Sequence, residues 1–163
     1  IKGTNNKEII GSATHADSRM MKFTAPYRSK KSSIVLISSI AGHRKSPVSG
    51  VHYVSSKSGI IGLVKQLSHE FGKYNIRTNS ISPGTINTEM VKQVAEADSS
   101  GVILKEFNSM HPLNRIGEPE EIGATAVFLA SDGGAFANGA DFRIDGGLTI
   151  TPRMKPGAGS NPK

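Results

Sequence analysis

Ile34-Val35-Leu36-Ile37 is a continuous, largely β-branched apolar run set between small polar residues. A strand with one wet face alternates apolar and polar residues, whereas an unbroken run suits a strand covered on both faces, as in a parallel sheet. A loop rich in Gly, Ser and Pro follows from Ser38 to Gly50, and then a long helical pattern from about 52 to 72. There Ile60, Leu63, Val64, Leu67 and Phe71 recur three and four residues apart and make one broad apolar face. Ile76 to Ile81 reads as a second short strand, ended by Ser82-Pro83-Gly84. Two short helices are predicted over about 88–97 and 101–109. A further helix opens at Pro119, with Glu120 and Glu121 at the positive end of its dipole and Ile122, Ala126 and Leu129 on its buried stripe. Residues 140–145 form a last strand, closed by Gly146-Gly147. Strand, helix, strand, helix, strand predicts a doubly wound α/β fold on a parallel sheet. Such folds bind ligands beyond the carboxyl ends of their strands, where Ser38-Ser39 and Ser82-Pro83-Gly84 both fall.

The flanks are simpler. Residues 8–29 carry scattered apolar side chains, such as Ile9, Ile10 and Phe23, that fit a helix ending near Pro26, and residues 152–163, with three Pro and two Gly, read as a flexible tail. The net charge of +7 sits in these flanks: residues 1–33 hold seven Lys/Arg against two acids, residues 146–163 hold three against none, and the middle is balanced. Basic flanks without interleaved aromatic residues read as solvated surface rather than a nucleic-acid site. No apolar run reaches membrane-spanning length, so no membrane partner is expected. The absence of Cys suits a reducing, cytoplasmic location. None of the five histidines pairs at metal-ligand spacing, and all five read as surface residues with no metal to hold.

The chemistry lies in Tyr53-Val54-Ser55-Ser56-Lys57, with Ser38 and Ser39 fifteen and fourteen positions upstream. Residues four apart on a helix share a face. A free tyrosine titrates near ~10 and a lysine near ~10.4, so neither is by itself a good proton shuttle at neutral pH. A lysine cation held within ~4–6 Å of the phenol favours phenolate and tunes the tyrosine for proton transfer. A serine hydroxyl at the strand exit can donate to a substrate oxygen as negative charge develops. Together they suit reversible alcohol oxidation, given a hydride acceptor.

Five segments in order resemble the C-terminal part of a short-chain dehydrogenase/reductase: Ile37-Ser38-Ser39-Ile40-Ala41-Gly42; Tyr53 to Lys57; Arg77 to Gly84; Pro112 to Ile122; and Asp145-Gly146-Gly147. The resemblance covers about residues 34–150. It implies a Rossmann-like domain over 1–151 that lacks its N-terminal strands, and a tail from 152. It implies a hydride-transferring oxidoreductase that uses NAD or NADP on a small carbonyl or secondary-alcohol substrate and assembles as a homodimer or homotetramer. It makes Ser39 the catalytic serine, with Ser38 as the alternative, and Tyr53 the acid/base. Lys57 becomes both the partner of Tyr53 and a ligand of the nicotinamide ribose. Pro83, Gly84, Ile86 and Thr88 would meet the nicotinamide and phosphate side of the cofactor. Ser39, Met90 and Val91 would meet the substrate.

The glycine-rich turn with which such domains bind pyrophosphate is not found in the sequence. The alternative reading is therefore a catalytically inactive fragment or assembly module that keeps the catalytic helix but cannot bind the dinucleotide.

Overall fold

The computed structural model describes residues 32–46 and 49–150. The helix expected over 8–29 and the tail from 152 lie outside them. Strand β1 (Ser32–Ile37) leads through a short 3-10 turn (Ile40–Gly42) to helix α1 (Val51–Gly72). Strand β2 (Ile76–Pro83) follows, then helices α2 (Glu89–Ala97), α3 (Val102–Ser109) and α4 (Pro119–Ala130), and strand β3 (Asp141–Ile144). The described strands form one parallel sheet in the order β1-β2-β3. No described helix is long and apolar enough to cross a membrane.

Helices cover both faces, as the unbroken apolar run requires. On one face Ile34, Leu36 and Ile76 meet Ile60, Val64, Leu67 and Phe71 of α1, with Leu63 packed at the margin. On the other, Val35 and Ile81 meet Ala126 and Leu129 of α4, with Ile122 alongside. Alternate residues of β1 point to opposite layers, so a single four-residue run holds two helices.

Several boundaries shift by a residue or two from the sequence reading, and the shift at β2 has a clear physical reason. Strand β2 does not end at Ile81 but runs on through Pro83, which pairs with Ile144. Along β2 the amides of Ser80 and Gly84 donate towards β3, to Ala140 O and Ile144 O, so the nitrogen of Pro83 faces the β1 side. The pairing of β1 has already ended there, at Ile37 with Ile81. Proline therefore removes no ladder bond and is tolerated.

Strand β2 is polar for a central strand: Thr78, Asn79, Ser80 and Ser82 are all fully buried. Asn79 donates from Nδ2 to Ala137 O at 2.8 Å and accepts the Ala140 amide at 3.1 Å. Ser80 and Ser82 donate to Asp141. Among the described residues, Thr78 Oγ1 alone is a buried side-chain oxygen without a hydrogen-bond partner. Thr78→Val should therefore raise stability by about 1 kcal/mol by removing an unpaired hydroxyl. Leu129→Ala, at a site with no exposed surface, should lower it by about 2–5 kcal/mol through the cavity it leaves. Urea unfolding of the two variants reads both signs.

Candidate active site

The exit of β1 and the first turns of α1 are joined through Lys57. Its ammonium donates to Ile37 O at 2.9 Å, and its backbone carbonyl accepts from Ser38 Oγ at 2.8 Å. The same Nζ stands 5.5 Å from the centroid of the Tyr53 ring, within cation–π range. Burial lowers the Lys57 pKa by stripping water from the charged form. Tyr53 is 38% exposed and free to face a ligand. The closeness of helix and turn depends on Gly42: a Cβ there would lie 2.9 Å from the Lys57 carbonyl carbon.

The two serines differ in what they have left to give. Ser38 is buried, and its proton is engaged by Lys57 O. Ser39 accepts the Ala41 amide at 3.1 Å, capping the 3-10 turn. Accepting that bond leaves the Ser39 hydroxyl proton available to an external oxygen.

At the exit of β2 the chain is held close to the end of β3. A Cβ on Gly84 would meet Asp145 Cα at 2.8 Å, and the Gly84 amide donates to Ile144 O at 3.0 Å. Burial alone would raise the Asp145 carboxyl, but donation from Thr149 and Gly147 leaves it below its ordinary value. Beyond Gly84, the Gly117 amide donates to Thr85 O at 2.9 Å and the Asn87 amide to Gly117 O at 2.8 Å. This parallel bridge turns the Ile86 N–H away from Gly117, and no described residue accepts it. Thr88 stands at the N-cap of α2 without a side-chain cap bond, so its hydroxyl is also unengaged. Val91 is half-buried on α2; Met90 lies on the same helix, its side chain outside the described set.

A brace from residues 111–121 supports this loop. Arg115 grips Glu121 with two bonds, at 2.8 and 2.7 Å, while Glu121 Oε2 also accepts the Glu118 amide at the start of α4. Asn87 Nδ2 donates to the Glu118 carboxylate. His111 corrects the expectation of a surface residue: only 3% exposed, its Nδ1 lies 2.8 Å from Phe107 O and its Nε2 3.4 Å from the Thr85 amide. A carbonyl can only accept and an amide only donate, so the proton sits on Nδ1. His111 directly precedes Pro112, where one of the family-like segments begins, and that position was the available signal. Sequence reasoning also missed a contact between His43 and Asp141, for which 98 positions of separation left no local signal.

A parallel sheet wound with helices on both faces, and Tyr53 and Lys57 one helical turn apart beside a serine-bearing strand exit, define the short-chain dehydrogenase/reductase class. Residues 6–149 match the family model described as Enoyl-(Acyl carrier protein) reductase, and the chain belongs to that family. It is 42% identical over 121 residues to a 3-oxoacyl-(acyl-carrier-protein) reductase of Chlamydia trachomatis, covering 74% of this chain and 46% of that protein. It is 36% identical over 122 residues to a 2,5-dichloro-2,5-cyclohexadiene-1,4-diol dehydrogenase of Sphingobium indicum, covering 75% and 48%. The chain thus spans about half the length of these curated relatives. Among solved structures, it resembles a 4-hydroxyisoleucine dehydrogenase complexed with NADH, with a TM-score of 0.71 and 36% identity over 82% of this chain and 53% of that one. An NADP-bound putative 2-deoxy-d-gluconate 3-dehydrogenase from Agrobacterium tumefaciens gives a TM-score of 0.72 and 28% identity, covering 81% and 53%.

The brace has a pH signature. Hydrogen bonds from Arg115 first, then from the Glu118 amide, lower the Glu121 pKa to about 2. A depressed folded-state value stabilises above the unfolded value, ~4.3, and the contribution disappears as pH falls towards the folded one. The difference in urea midpoint between the natural chain and Glu121→Gln should be constant at neutral pH, shrink below about pH 4.3 and disappear only below about pH 2.

Proposed function

We propose that this protein is an oxidoreductase that transfers hydride between a nicotinamide cofactor, NAD or NADP, and a carbonyl or secondary-alcohol substrate. Tyr53 exchanges the proton in this reading. The observation that carries it is the Lys57 ammonium, fixed by Ile37 O and standing 5.5 Å from the Tyr53 ring centroid. A cation held there lies within cation–π range of the ring whose hydroxyl exchanges the proton. Ser39 donates its free hydroxyl proton to the substrate oxygen, steadying negative charge as it develops. In the alcohol-to-carbonyl direction Tyr53 Oη takes the substrate's hydroxyl proton, and in the reverse direction it returns one.

The donors present fit a nicotinamide cofactor. Beyond its bond to Ile37 O, Lys57 has two N–H groups for ribose hydroxyls. The Ile86 N–H, unpaired among the described residues, suits a carboxamide oxygen, and the Thr88 hydroxyl suits a phosphate oxygen. Pro83 and Gly84 keep the backbone between them low and close to the end of β3. When bound, such a cofactor accepts or delivers the hydride. Val91 and Met90, on the helix that Thr88 opens, face the task of shaping the substrate pocket in this reading.

Assembly as a homo-oligomer belongs to the same reading. It is supported by Val127, Phe128 and Phe136, which are 61%, 47% and 104% exposed around the end of α4. Such apolar groups gain by burial against a second copy.

Tyr53→Phe keeps the ring and deletes only the hydroxyl. Turnover of secondary alcohols by the intact enzyme should fall by about 10²–10⁴-fold, while NADH or NADPH affinity, read from nicotinamide fluorescence, stays nearly unchanged. Retained turnover would remove Tyr53 from its role. Absence of any nicotinamide binding would instead favour the inactive module.

A further inference from the structure

His43 closes the 3-10 turn that Ser39 opens: its amide donates to Ile40 O at 3.0 Å. Its ring then reaches over β2 to β3. Nε2 lies 2.8 Å from Asp141 Oδ2 and 3.2 Å from Ser82 Oγ. The other carboxylate oxygen, Asp141 Oδ1, accepts from Ser80 Oγ at 2.5 Å and from Ser82 Oγ at 2.8 Å.

Proton counting gives the direction of these bonds. A carboxylate only accepts, and Ser82 gives its proton to Asp141, so Nε2 must carry a hydrogen and donate. Both the neutral Nε2–H tautomer and the protonated ring meet that requirement. Asp141 gains from the donor: its side chain is half-buried, 13% exposed, and a carboxylate oxygen partly withdrawn from water is better paired than left alone. Among the described residues, His43 is the donor to Oδ2.

The turn is gripped from its other side by α1. Ser58 Oγ donates to Gly42 O at 3.0 Å, and Gly42 packs against the Lys57 backbone. The segment carrying Ser39 is thus clamped between the helix that bears Tyr53 and Lys57 and the far strand of the sheet. Before the turn the Ser38 amide donates to Ile81 O at 2.7 Å, and after it Arg44 Nη1 donates to Leu148 O at 3.4 Å; the turn's side-chain link to β3 is the His43 imidazole.

We propose that His43 is a positioning residue for Ser39, holding the Ile40–Gly42 turn at a fixed height above the sheet through Asp141. The role rests on the catalytic reading of Ser39 given above. It does not touch the reacting atoms. It sets where the Ser39 hydroxyl stands relative to Tyr53, a kind of placement in which an error of about 1 Å costs up to about 100-fold in rate.

The test uses His43→Ala and His43→Gln in the intact enzyme, with Tyr53→Phe as control. The glutamine side-chain amide places an N–H donor close to where Nε2 stands, without titrating. His43→Ala should lower kcat roughly 10- to 100-fold and leave the KM for NADH or NADPH within about twofold. Amide hydrogen exchange at Ala41 and Gly42 should quicken while exchange in β1 and β2 stays unchanged. His43→Gln should restore both kcat and protection. Unchanged exchange in His43→Ala, or no rescue by His43→Gln, overturns the positioning role. So does a loosened turn with undiminished kcat, when Tyr53→Phe is inactive; the catalytic reading then stands alone. An active Tyr53→Phe overturns the catalytic reading itself, and the role of His43 with it.

Discussion

Lys57 is tied to the exit of β1 in two opposite senses, giving a proton from its side chain to Ile37 O and receiving one at its backbone from Ser38 Oγ. Two bonds between the last residue of the strand, the residue after it and one residue of the helix fix translation and rotation together. Tyr53, one turn earlier on α1, has no separate anchor to the strand and takes its place from Lys57. The lysine loses rotamer freedom worth about 2 kcal/mol in this arrangement, but it does so on folding rather than when a ligand arrives. That is the condition under which a charged group can stabilise a neighbour without reorganising. Gly42 permits the approach, because any side chain there would push the turn off the Lys57 backbone.

The second strand obeys a different logic from the first. β1 is held by apolar contact on both faces, whereas β2 buries Thr78, Asn79, Ser80 and Ser82. Apolar packing tolerates small slips in register; a buried amide with two fixed partners does not. Asn79 bonds both Ala137 and Ala140, while Asn138 Oδ1 accepts the Thr78 amide, so the segment leading into β3 aligns with one place along β2. Short β3, four residues long, gains its register from these polar contacts rather than from its own length.

This division explains what could be read from the sequence. The unbroken apolar run of β1 and the periodic stripe on α1 are local signals, and the observed elements follow them within a residue or two. Tyr53 and Lys57 were legible for the same reason, since four-residue spacing on a helix places side chains together whatever surrounds it. Which of Ser38 and Ser39 keeps its hydroxyl proton free was not legible, because it turns on which hydroxyl the Lys57 carbonyl engages. Nor was the end of β2, where Pro83 is admitted only because β1 has already stopped. His111 escaped because burial of a histidine depends on finding both an acceptor and a donor, here Phe107 O and the Thr85 amide, and a surface histidine has the same local sequence.

The loops at the two strand exits are steadied from later in the chain, by separate devices. His43 links the first to Asp141 on β3, while the loop after β2 leans on Gly117, His111 and Glu118. At Gly117 the backbone geometry itself selects what is offered. Because Thr85 O and the Asn87 amide both bond Gly117, the intervening Ile86 must present its own N–H on the opposite side. A Cβ at 117 would meet Ile86 Cδ1 at 2.8 Å, so the bridge also depends on glycine there. The donor at Ile86 is thus set by the ladder rule of parallel strands rather than by its side chain. That is why a residue of unremarkable chemistry can present a backbone donor, and why its surroundings, more than its identity, decide which way that donor points.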